Sequence, residues 1–239
     1  MKVRLQKYLS NLGVDSRRKC EQYITEGLVK INGVVVTKLG TTIDPETDKV
    51  VFNEERIGDH KSKYISIMMN KPRGYVCTTS DKEGKTVFEL IDKDFKDTLK
   101  TAGRLDKKSE GLLILSNDGE LIYYLTHPSF NQRKVYHVMV SGAFNDRVMQ
   151  QLNSQMNIDG YTIKPAEVKA IRPGNNPKRV LLRFILKEGR KRQIRKMCEQ
   201  LNLEVHRLQR VQIKNLTLQG LRPGEWRFLT KKEVQDLKK

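Results

Sequence analysis

From residue 64 onward, the apolar segments of this sequence are short, and turn-forming residues separate most of them. Segments that alternate between apolar and polar residues, or are rich in β-branched and aromatic residues, predict strands. The predicted strands cover residues 64–69, 75–79, 112–115, 135–140 and 180–186. The predicted helices cover residues 120–126 and 193–201. Because strands outnumber helices and the two do not alternate regularly, we predict an α+β fold with a mixed, mainly antiparallel sheet.

The first 60 residues have a pattern of their own. Leucines at helical spacing predict one short helix, and Ser16 is a suitable N-cap for a second helix over residues 17–24. Asn32 and Gly33 then predict the turn of a β-hairpin. Residues 54–63 are polar and charged, which is typical of a linker. We therefore predict two domains, residues 1–60 and residues 61–239.

Two short helices ahead of a hairpin, with basic residues on the second helix, resemble an S4 RNA-binding domain. The resemblance is carried by residues 16–33, which include Arg17, Arg18, Lys19 and the Asn-Gly turn. It implies a small α/β module in which these three cations contact RNA phosphates and position the RNA without reading its sequence. The alternative is an ordinary helix with a solvated basic face.

The charge of the chain also indicates a polyanionic partner. There are 46 Lys and Arg residues against 28 Asp and Glu, which gives a formal net charge of +18. Residues 172–239 hold 19 basic and 6 acidic residues, and residues 1–39 hold 8 and 3. Because a surface built only for solubility mixes its signs, this concentration at both ends favours RNA, DNA or an anionic membrane as partner.

Cysteine and histidine usage argues against metal and disulfide chemistry. The three cysteines, Cys20, Cys77 and Cys198, are far apart, and their odd number does not suit a disulfide framework. The four histidines are scattered, so no zinc-ligand spacing occurs. No apolar run is long enough to span a bilayer or to act as a signal peptide. We expect a cytoplasmic protein that does not contact a membrane.

The most specific stretch of the sequence is residues 103–119, GRLDKKSEGLLILSNDG. Arg104 and Asp106 lie two positions apart, between glycines and ahead of a short apolar strand. Most Asp residues in such a place cap a turn or a helix. A carboxylate fixed beside a guanidinium at the edge of a sheet is also a suitable catalytic platform.

This stretch resembles the signature of the RsuA/RluB-type ribosomal pseudouridine synthases, in which the Asp of Gly-Arg-Leu-Asp is the catalytic residue. Three more segments resemble motifs of that family and occur in the family's order. They are residues 70–76 (NKPRGYV), 134–136 (KVY) and 188–197 (EGRKRQIRKM). With the S4-like module in front, the resemblance covers nearly the whole chain.

The resemblance implies a role for each matching residue. Asp106 is the nucleophile or base that acts on the target uridine, Tyr136 stacks against the flipped base, and Arg195 pairs with Asp106. Ile194 packs beneath the base, and Arg104 helps to fill the space that the base vacates. For Tyr136 the alternative is an ordinary core residue, and for Arg195 it is a solvated cationic face.

The other basic residues of the segment 188–197 are expected to make generic phosphate contacts. They are Arg190, Lys191, Arg192 and Lys196.

The implied reaction breaks the glycosidic bond of uridine, rotates the base and forms a bond between C5 and C1′. This isomerisation needs no cofactor, nucleotide or metal, and the sequence has no Walker, GxGxxG or metal-ligand pattern. A stacked uridine must be extruded before it can react. We expect an apolar pocket around one carboxylate, whose ionised form a neighbouring Arg would favour. The residues leave open whether Asp106 attacks C1′ or removes the 2′ proton.

The C-terminal segments, from residue 193 to residue 230, are most similar to the RluF-like branch of the family, whose members modify 23S rRNA. We therefore expect 23S rRNA, free or in an assembling large-subunit particle, as substrate of a monomeric enzyme. The alternatives are a 16S rRNA pseudouridine synthase and a non-catalytic RNA-binding ribosome-assembly factor. A basic DNA-binding protein is less well supported, because the sequence has no helix-turn-helix or zinc-finger pattern.

Overall fold

The computed structural model of the chain describes residues 2–57, 64–173 and 179–239. It divides into two compact units, residues 1–64 and residues 65–239. No helix among the described residues combines the length and the apolar character that crossing a membrane requires.

The first unit combines two short helices with small sheets. Its elements are β1 (Val3–Arg4), α1 (Leu5–Asn11), α2 (Arg17–Thr25), β2 (Val29–Ile31), β3 (Val34–Val35), β4 (Thr42–Ile43), β5 (Val50–Phe52) and β6 (Glu55–Ile57). Strands β3, β2, β5 and β6 pair in that order. The Ser16 side chain caps α2 by accepting the Lys19 backbone N–H at 3.3 Å, as its position before the helix predicts. Leu5, Leu9, Ile24 and other apolar side chains form the core between helices and sheet.

The prediction of a linker over residues 54–63 is wrong for its first part, because Glu55–Ile57 forms strand β6 against β5. Asn53 and Glu54 both adopt positive φ and reverse the chain between the two strands. The polar composition of the segment did not predict a strand, because an edge strand needs few apolar residues. The rest of the predicted linker, residues 58–63, lies outside the described residues.

The second unit contains the larger sheet. Its strands are β7 (Ser66–Lys71), β8 (Lys100–Thr101), β9 (Glu110–Ser116), β10 (Lys134–Ser141), β11 (Asn157–Ile158), β12 (Tyr161–Thr162), β13 (Glu167–Pro173), β14 (Arg179–Leu186), β15 (Glu204–Ile213), β16 (Leu216–Thr217) and β17 (Trp226–Phe228). Its α-helices are α3 (Gly119–Thr126), α4 (Asp146–Asn153), α5 (Gln193–Gln200) and α6 (Lys231–Lys238). Short 3-10 helices cover Asp81–Glu83, Val87–Leu90, Asp94–Thr98 and Pro128–Phe130.

Among the described residues, nine of these strands form one sheet, whose main path is β13-β14-β10-β15-β9-β7-β17. Strands β15 and β9 run parallel, and the other pairs of this sheet are antiparallel. This arrangement confirms the predicted α+β fold with a mixed, mainly antiparallel sheet.

Both faces of the central strands are covered. Leu112 and Ile114 of β9 pack with α3 and α6 on one face, and Leu113 and Leu115 pack with two 3-10 helices on the other. This double burial explains why residues 112–115 are continuously apolar instead of alternating. Helices α4 and α5 cover β10 and β14 through a separate apolar cluster, called here the α5 cluster, which includes Tyr136, Val138, Leu152 and Met197.

The strand predicted over residues 75–79 is absent. Val76 forms only an isolated bridge with Thr86, and the residues around it are irregular. Cys77 packs against the α5 cluster and against a second cluster that contains Leu113 and Leu115. Its Sγ accepts the Leu105 N–H at 3.4 Å. The segment therefore passes between two parts of the core instead of lying along a sheet edge.

Candidate active site

A row of register partners crosses the centre of the large sheet. Lys71 of β7 is paired with Gly111 of β9, Gly111 with Arg210 of β15, and Arg210 with Tyr136 of β10. Register partners on neighbouring strands point to the same face of a sheet. Lys71, Arg210 and Tyr136 therefore share one face, and the glycine between the two cations carries no side chain there.

Gly111 is required at this position for two reasons. Its φ is +107°, which residues with a side chain rarely adopt. A Cβ at this position would also collide with the backbone of Arg210. The close approach of β9 and β15 fixes the start of β9, and with it the loop that carries Asp106.

The buried ammonium of Lys71 organises that loop. Its Nζ donates to the carbonyl oxygens of Pro72 at 3.0 Å, Asp106 at 3.3 Å and Ser109 at 2.8 Å. The loop also closes on itself, because the Ser109 N–H donates to the Asp106 carbonyl at 2.9 Å. Burial lowers the pKa of Lys71, and the charge of Asp106 is among the groups that act in the opposite direction. Lys71 lies in one of the motifs singled out above, but the sequence suggested no role for it.

Apolar packing joins the Asp106 loop to the other two motifs. Leu105 belongs to the α5 cluster together with Tyr136 and Ile194. Tyr136 is only 8% exposed and lies in this core. The three segments that the sequence singled out separately, around Asp106, Tyr136 and Arg195, therefore meet at one place.

The Asp106 side chain itself is exposed. This differs from the enclosed apolar pocket expected around it. The apolar neighbours lie beneath the loop, at Leu105, and not around the carboxylate. In the protein alone, solvent therefore reaches the acidic group.

Arg195 contacts the same loop from helix α5. Its Nη2 donates to the Lys108 carbonyl at 3.1 Å and to the Ser109 hydroxyl at 3.3 Å, so these bonds go to the loop backbone and Ser109 instead of the Asp106 carboxylate. Burial and the charge of Arg192 lower the pKa of Arg195, and the negative charge of Asp106 opposes that shift. In the described part of the chain, the buried Nε of Arg195 has no hydrogen-bond partner.

Two further cations, one buried and one half-buried, lie on this face, and the sequence did not single them out for chemistry. Arg210 is buried, and its Nε donates to the Leu112 carbonyl at 2.7 Å. Lys134 lies two residues before Tyr136 on the same strand face, and burial, aided by the charge of Arg210, lowers its pKa to about 8. With Lys71, three cations lie on this face, which makes it electropositive.

The remaining predicted contact residues are exposed. Arg104, Arg190 and Arg192 belong to the second unit, and Arg192 adopts a φ of 55° as the residue before α5. Arg17, Arg18 and Lys19 lie on the exposed face of α2 in the first unit.

Among the described residues, no group of three or more His, Cys, Asp or Glu side chains could hold a metal ion. The three cysteines, all of them within the described part of the chain, form no disulfide, and Cys20 and Cys198 are buried. Burial raises the pKa of Cys198 to about 12, which keeps its thiol protonated.

Comparison with known proteins identifies two sequence families. Residues 64–200 match the model of an RNA pseudouridylate synthase family, and residues 3–49 match the S4 domain. The chain is 34% identical to ribosomal large subunit pseudouridine synthase B of Bacillus subtilis, over 98% of this chain and 95% of the relative. It is 36% identical to dual-specificity RNA pseudouridine synthase RluF of Escherichia coli O6:H1, over 98% of this chain and 78% of the relative. A crystal structure of a pseudouridylate synthase matches with a TM-score of 0.70 and 27% identity, over 98% of this chain and 99% of that one.

Proposed function

The chain belongs to the RNA pseudouridylate synthase family, and on this premise we propose that it converts a specific uridine of 23S rRNA into pseudouridine, with Asp106 as its essential carboxylate. One observation carries the proposal. Leu105, Tyr136 and Ile194 pack in a single cluster, so an acidic loop, an aromatic ring and a cationic helix converge on one electropositive face. A protein that only binds RNA has no need of this combination.

Asp106 acts on the sugar of the target nucleotide, by attacking C1′ or by removing the 2′ proton. Both routes need an ionised carboxylate that the substrate can reach, and the exposure of Asp106 supports this. During the reaction the N1–C1′ bond breaks, the C5–C1′ bond forms, the C5 hydrogen leaves to water and N1 regains a proton. The reaction is an isomerisation, so no electrons leave the nucleotide.

The flipped base packs on the Tyr136 ring and on Ile194, which are only 8% and 4% exposed in the free protein, so RNA binding has to uncover more of both residues. Stacking on an aromatic ring stabilises an unpaired base by about 1–3 kcal/mol, which offsets part of the cost of extruding it. Arg104, which is exposed beside Asp106, takes the space that the base leaves in the RNA helix. The bound RNA then covers the carboxylate that solvent reaches in the free protein.

Arg195 keeps the Asp106 loop in place. Its hydrogen bonds to Lys108 and Ser109 fix the loop, and its buried, unpartnered Nε is a donor that can turn to the carboxylate when RNA binds.

The rest of the RNA is held by phosphate contacts. Arg190 and Arg192 contact the RNA near the target, and Arg17, Arg18 and Lys19 contact it through the S4 domain. The choice of 23S rRNA, free or in an assembling large-subunit particle, is supported by the relative named for the large ribosomal subunit. We also propose that the enzyme acts in the cytoplasm, as a monomer.

Release of tritium tests the proposal. Uridine labelled at C5 loses its label to water when the C5–C1′ bond forms, so 23S and 16S transcripts carrying this label are incubated with the wild type and with Asp106→Asn. We expect release from 23S RNA by the wild type only. Release from 16S RNA alone would indicate the small-subunit target, and tight binding without release from either RNA would indicate an assembly factor. Mapping the modified position in RNA from cells lacking the protein then identifies the nucleotide.

A further inference from the structure

An arginine of the segment 188–197 is stacked on an exposed tyrosine. The Cζ of Arg190 lies 3.0 Å from the centre of the Tyr161 ring. Tyr161 is 47% exposed, and the Arg190 side chain is 41% exposed. Tyr161 belongs to the hairpin of β11 and β12, whose turn residues Asp159 and Gly160 both have positive φ. A two-residue turn of this kind makes the hairpin compact and fixes where Tyr161 lies.

Stacking leaves the hydrogen-bonding capacity of Arg190 unused. The donors of a guanidinium lie in its plane, so a ring on its face does not occupy them. Within the described part of the chain, the nearest anionic group to this guanidinium is Glu188, whose Oε2 lies 3.9 Å from Nε. The other oxygen of Glu188 already accepts the Lys164 backbone N–H at 3.0 Å and Gln193 Nε2 at 2.9 Å. Arg190 is thus held in one orientation while its donors remain available for a ligand.

The hairpin is joined to the helix that carries Arg195. Lys196 of α5 forms an ion pair with Asp159, and Gln200 Nε2 donates to the Asn157 carbonyl at 2.7 Å. Ile158 anchors the hairpin in the α5 cluster, which also contains the ring of Tyr136. The stacked pair is therefore fixed relative to the candidate catalytic residues.

We propose that Tyr161 is a positioning residue that holds Arg190 ready to bind a backbone phosphate of the substrate RNA next to the target uridine. The inference rests on the proposed function. A planar guanidinium binds phosphate oxygens through two parallel hydrogen bonds, so its orientation decides the strength of the contact. Neighbouring exposed cations, Lys191 and Arg192, make the surroundings attractive to the RNA backbone. An unstacked Arg190 would retain its charge but lose the orientation.

A double-mutant cycle on the full-length protein tests this proposal. The wild type, Tyr161→Ala, Arg190→Ala and the double variant are compared by the Kd for the 23S transcript and by KM and kcat for tritium release. We expect each single variant to raise Kd and KM about tenfold, because each loses one charged contact with the RNA. We expect kcat to stay within about twofold of the wild type. The double variant should bind no more weakly than Arg190→Ala, because Tyr161 acts only through Arg190.

Conservative variants separate positioning from a general structural role. Tyr161→Phe keeps the ring and should bind like the wild type, whereas Arg190→Lys keeps the charge without the planar group and should bind as weakly as Tyr161→Ala. Tyr123→Ala removes an equally exposed tyrosine, whose ring packs on His127 and Phe130, and should leave Kd unchanged. If Tyr161→Ala lowers stability too far, Tyr161→Leu replaces it in the cycle.

The positioning role would be overturned if the losses of affinity in the two single variants multiply in the double variant. An unchanged Kd in Tyr161→Ala would overturn it as well. A wild type that binds the transcript but releases no tritium would overturn the proposed function alone. In that case the Kd values of the double-mutant cycle still measure the coupling between Tyr161 and Arg190. A wild type that binds neither transcript would overturn both.

Discussion

The ammonium group of Lys71 lies 3.3 Å from the carbonyl oxygen of Asp106, although the two residues are 35 positions apart in the chain. The buried lysine thus holds the backbone of the loop whose side chain is the proposed catalytic carboxylate.

Replacing Lys71 with Met should impair catalysis more than substrate binding. Three carbonyl oxygens lose a donor, and only the bond to Ser109 is buried. A lost partner costs up to about 1–3 kcal/mol at the buried oxygen and less at the other two, and the removal of a buried ammonium offsets part of this. We expect a net loss of about 1–3 kcal/mol in the free energy of unfolding in urea, and a fall in kcat of about a hundredfold as Asp106 shifts. Lys232→Met, at an exposed lysine of α6, is the control and should match the wild type. A Lys71→Met enzyme with normal kcat would show that the loop keeps its shape without the lysine.

Gly111→Ala should destabilise the catalytic unit. The methyl group meets the backbone of Arg210, and the positive φ adds strain, so we expect a loss of about 2–4 kcal/mol in the free energy of unfolding. Gly189→Ala is the matched control, because its new Cβ would meet no atom within 4 Å and its φ lies outside the left-handed region. Chemical denaturation compares the two, and equal stability would contradict the close approach of β9 and β15.

The effect of Lys134 on stability should depend on pH. Its folded-state pKa of about 8 lies below the usual value of 10.5, so between these values the unfolded chain binds more protons at this site than the folded one. The lysine therefore destabilises the fold most below pH 8, and the penalty fades as the pH rises towards about 10.5. We expect the stability of Lys134→Met relative to the wild type, measured in urea at pH 7 and pH 9.5, to be higher at pH 7. A difference that stays constant with pH would show that burial does not shift this pKa.

Arg195 and Lys191 should affect different kinetic constants. Arg195→Lys keeps a positive charge but loses the two bonds from Nη2, so the Asp106 loop is held less firmly, and we expect kcat to fall about a hundredfold with little change in KM. Lys191→Met removes only an exposed cation of the same motif, and should raise KM while kcat stays the same. Tritium release at several RNA concentrations gives both constants. The same pattern in both variants would assign Arg195 to general phosphate binding.

The S4 domain should contribute affinity without contributing to the chemical step. Changing Arg17, Arg18 and Lys19 to Gln removes up to three phosphate contacts, and each contact changes the slope of log K against log salt by about 0.7–0.9. We expect weaker binding, a shallower slope and an unchanged kcat at saturating RNA. Removing residues 1–58 should have a larger effect in the same direction.

A variant with equal loss of positive charge elsewhere is the control for this prediction. Lys231, Lys232 and Lys239 lie at the exposed ends of the C-terminal helix. Changing them to Gln should leave the slope of log K against log salt nearer to that of the wild type than the S4 variant does. If both triple variants lose the same affinity, the S4 domain acts only through overall charge.

Local patterns predicted much of the fold. The Ser16 cap, the helices at Gly119–Thr126 and Gln193–Gln200 and the strands at Lys134–Ser141 and Arg179–Leu186 follow from residues close together in sequence. Strand β6 was missed because pairing with β5, and not apolar composition, stabilises it. The strand predicted over residues 75–79 is absent because Cys77 packs between two apolar clusters of the core.

The sequence by itself determined the fold class, the family motifs and the positions at which chemistry is expected, because each depends on residue types at short, fixed spacing. Only the tertiary structure decided how those positions meet. Lys71 reaches the Asp106 loop, Arg195 bonds to Lys108 and Ser109, and Arg210 lies beside Tyr136 because strand order and register bring distant segments together. A buried cation binds whichever carbonyl oxygens the fold places around it, and no local pattern encodes which ones those are.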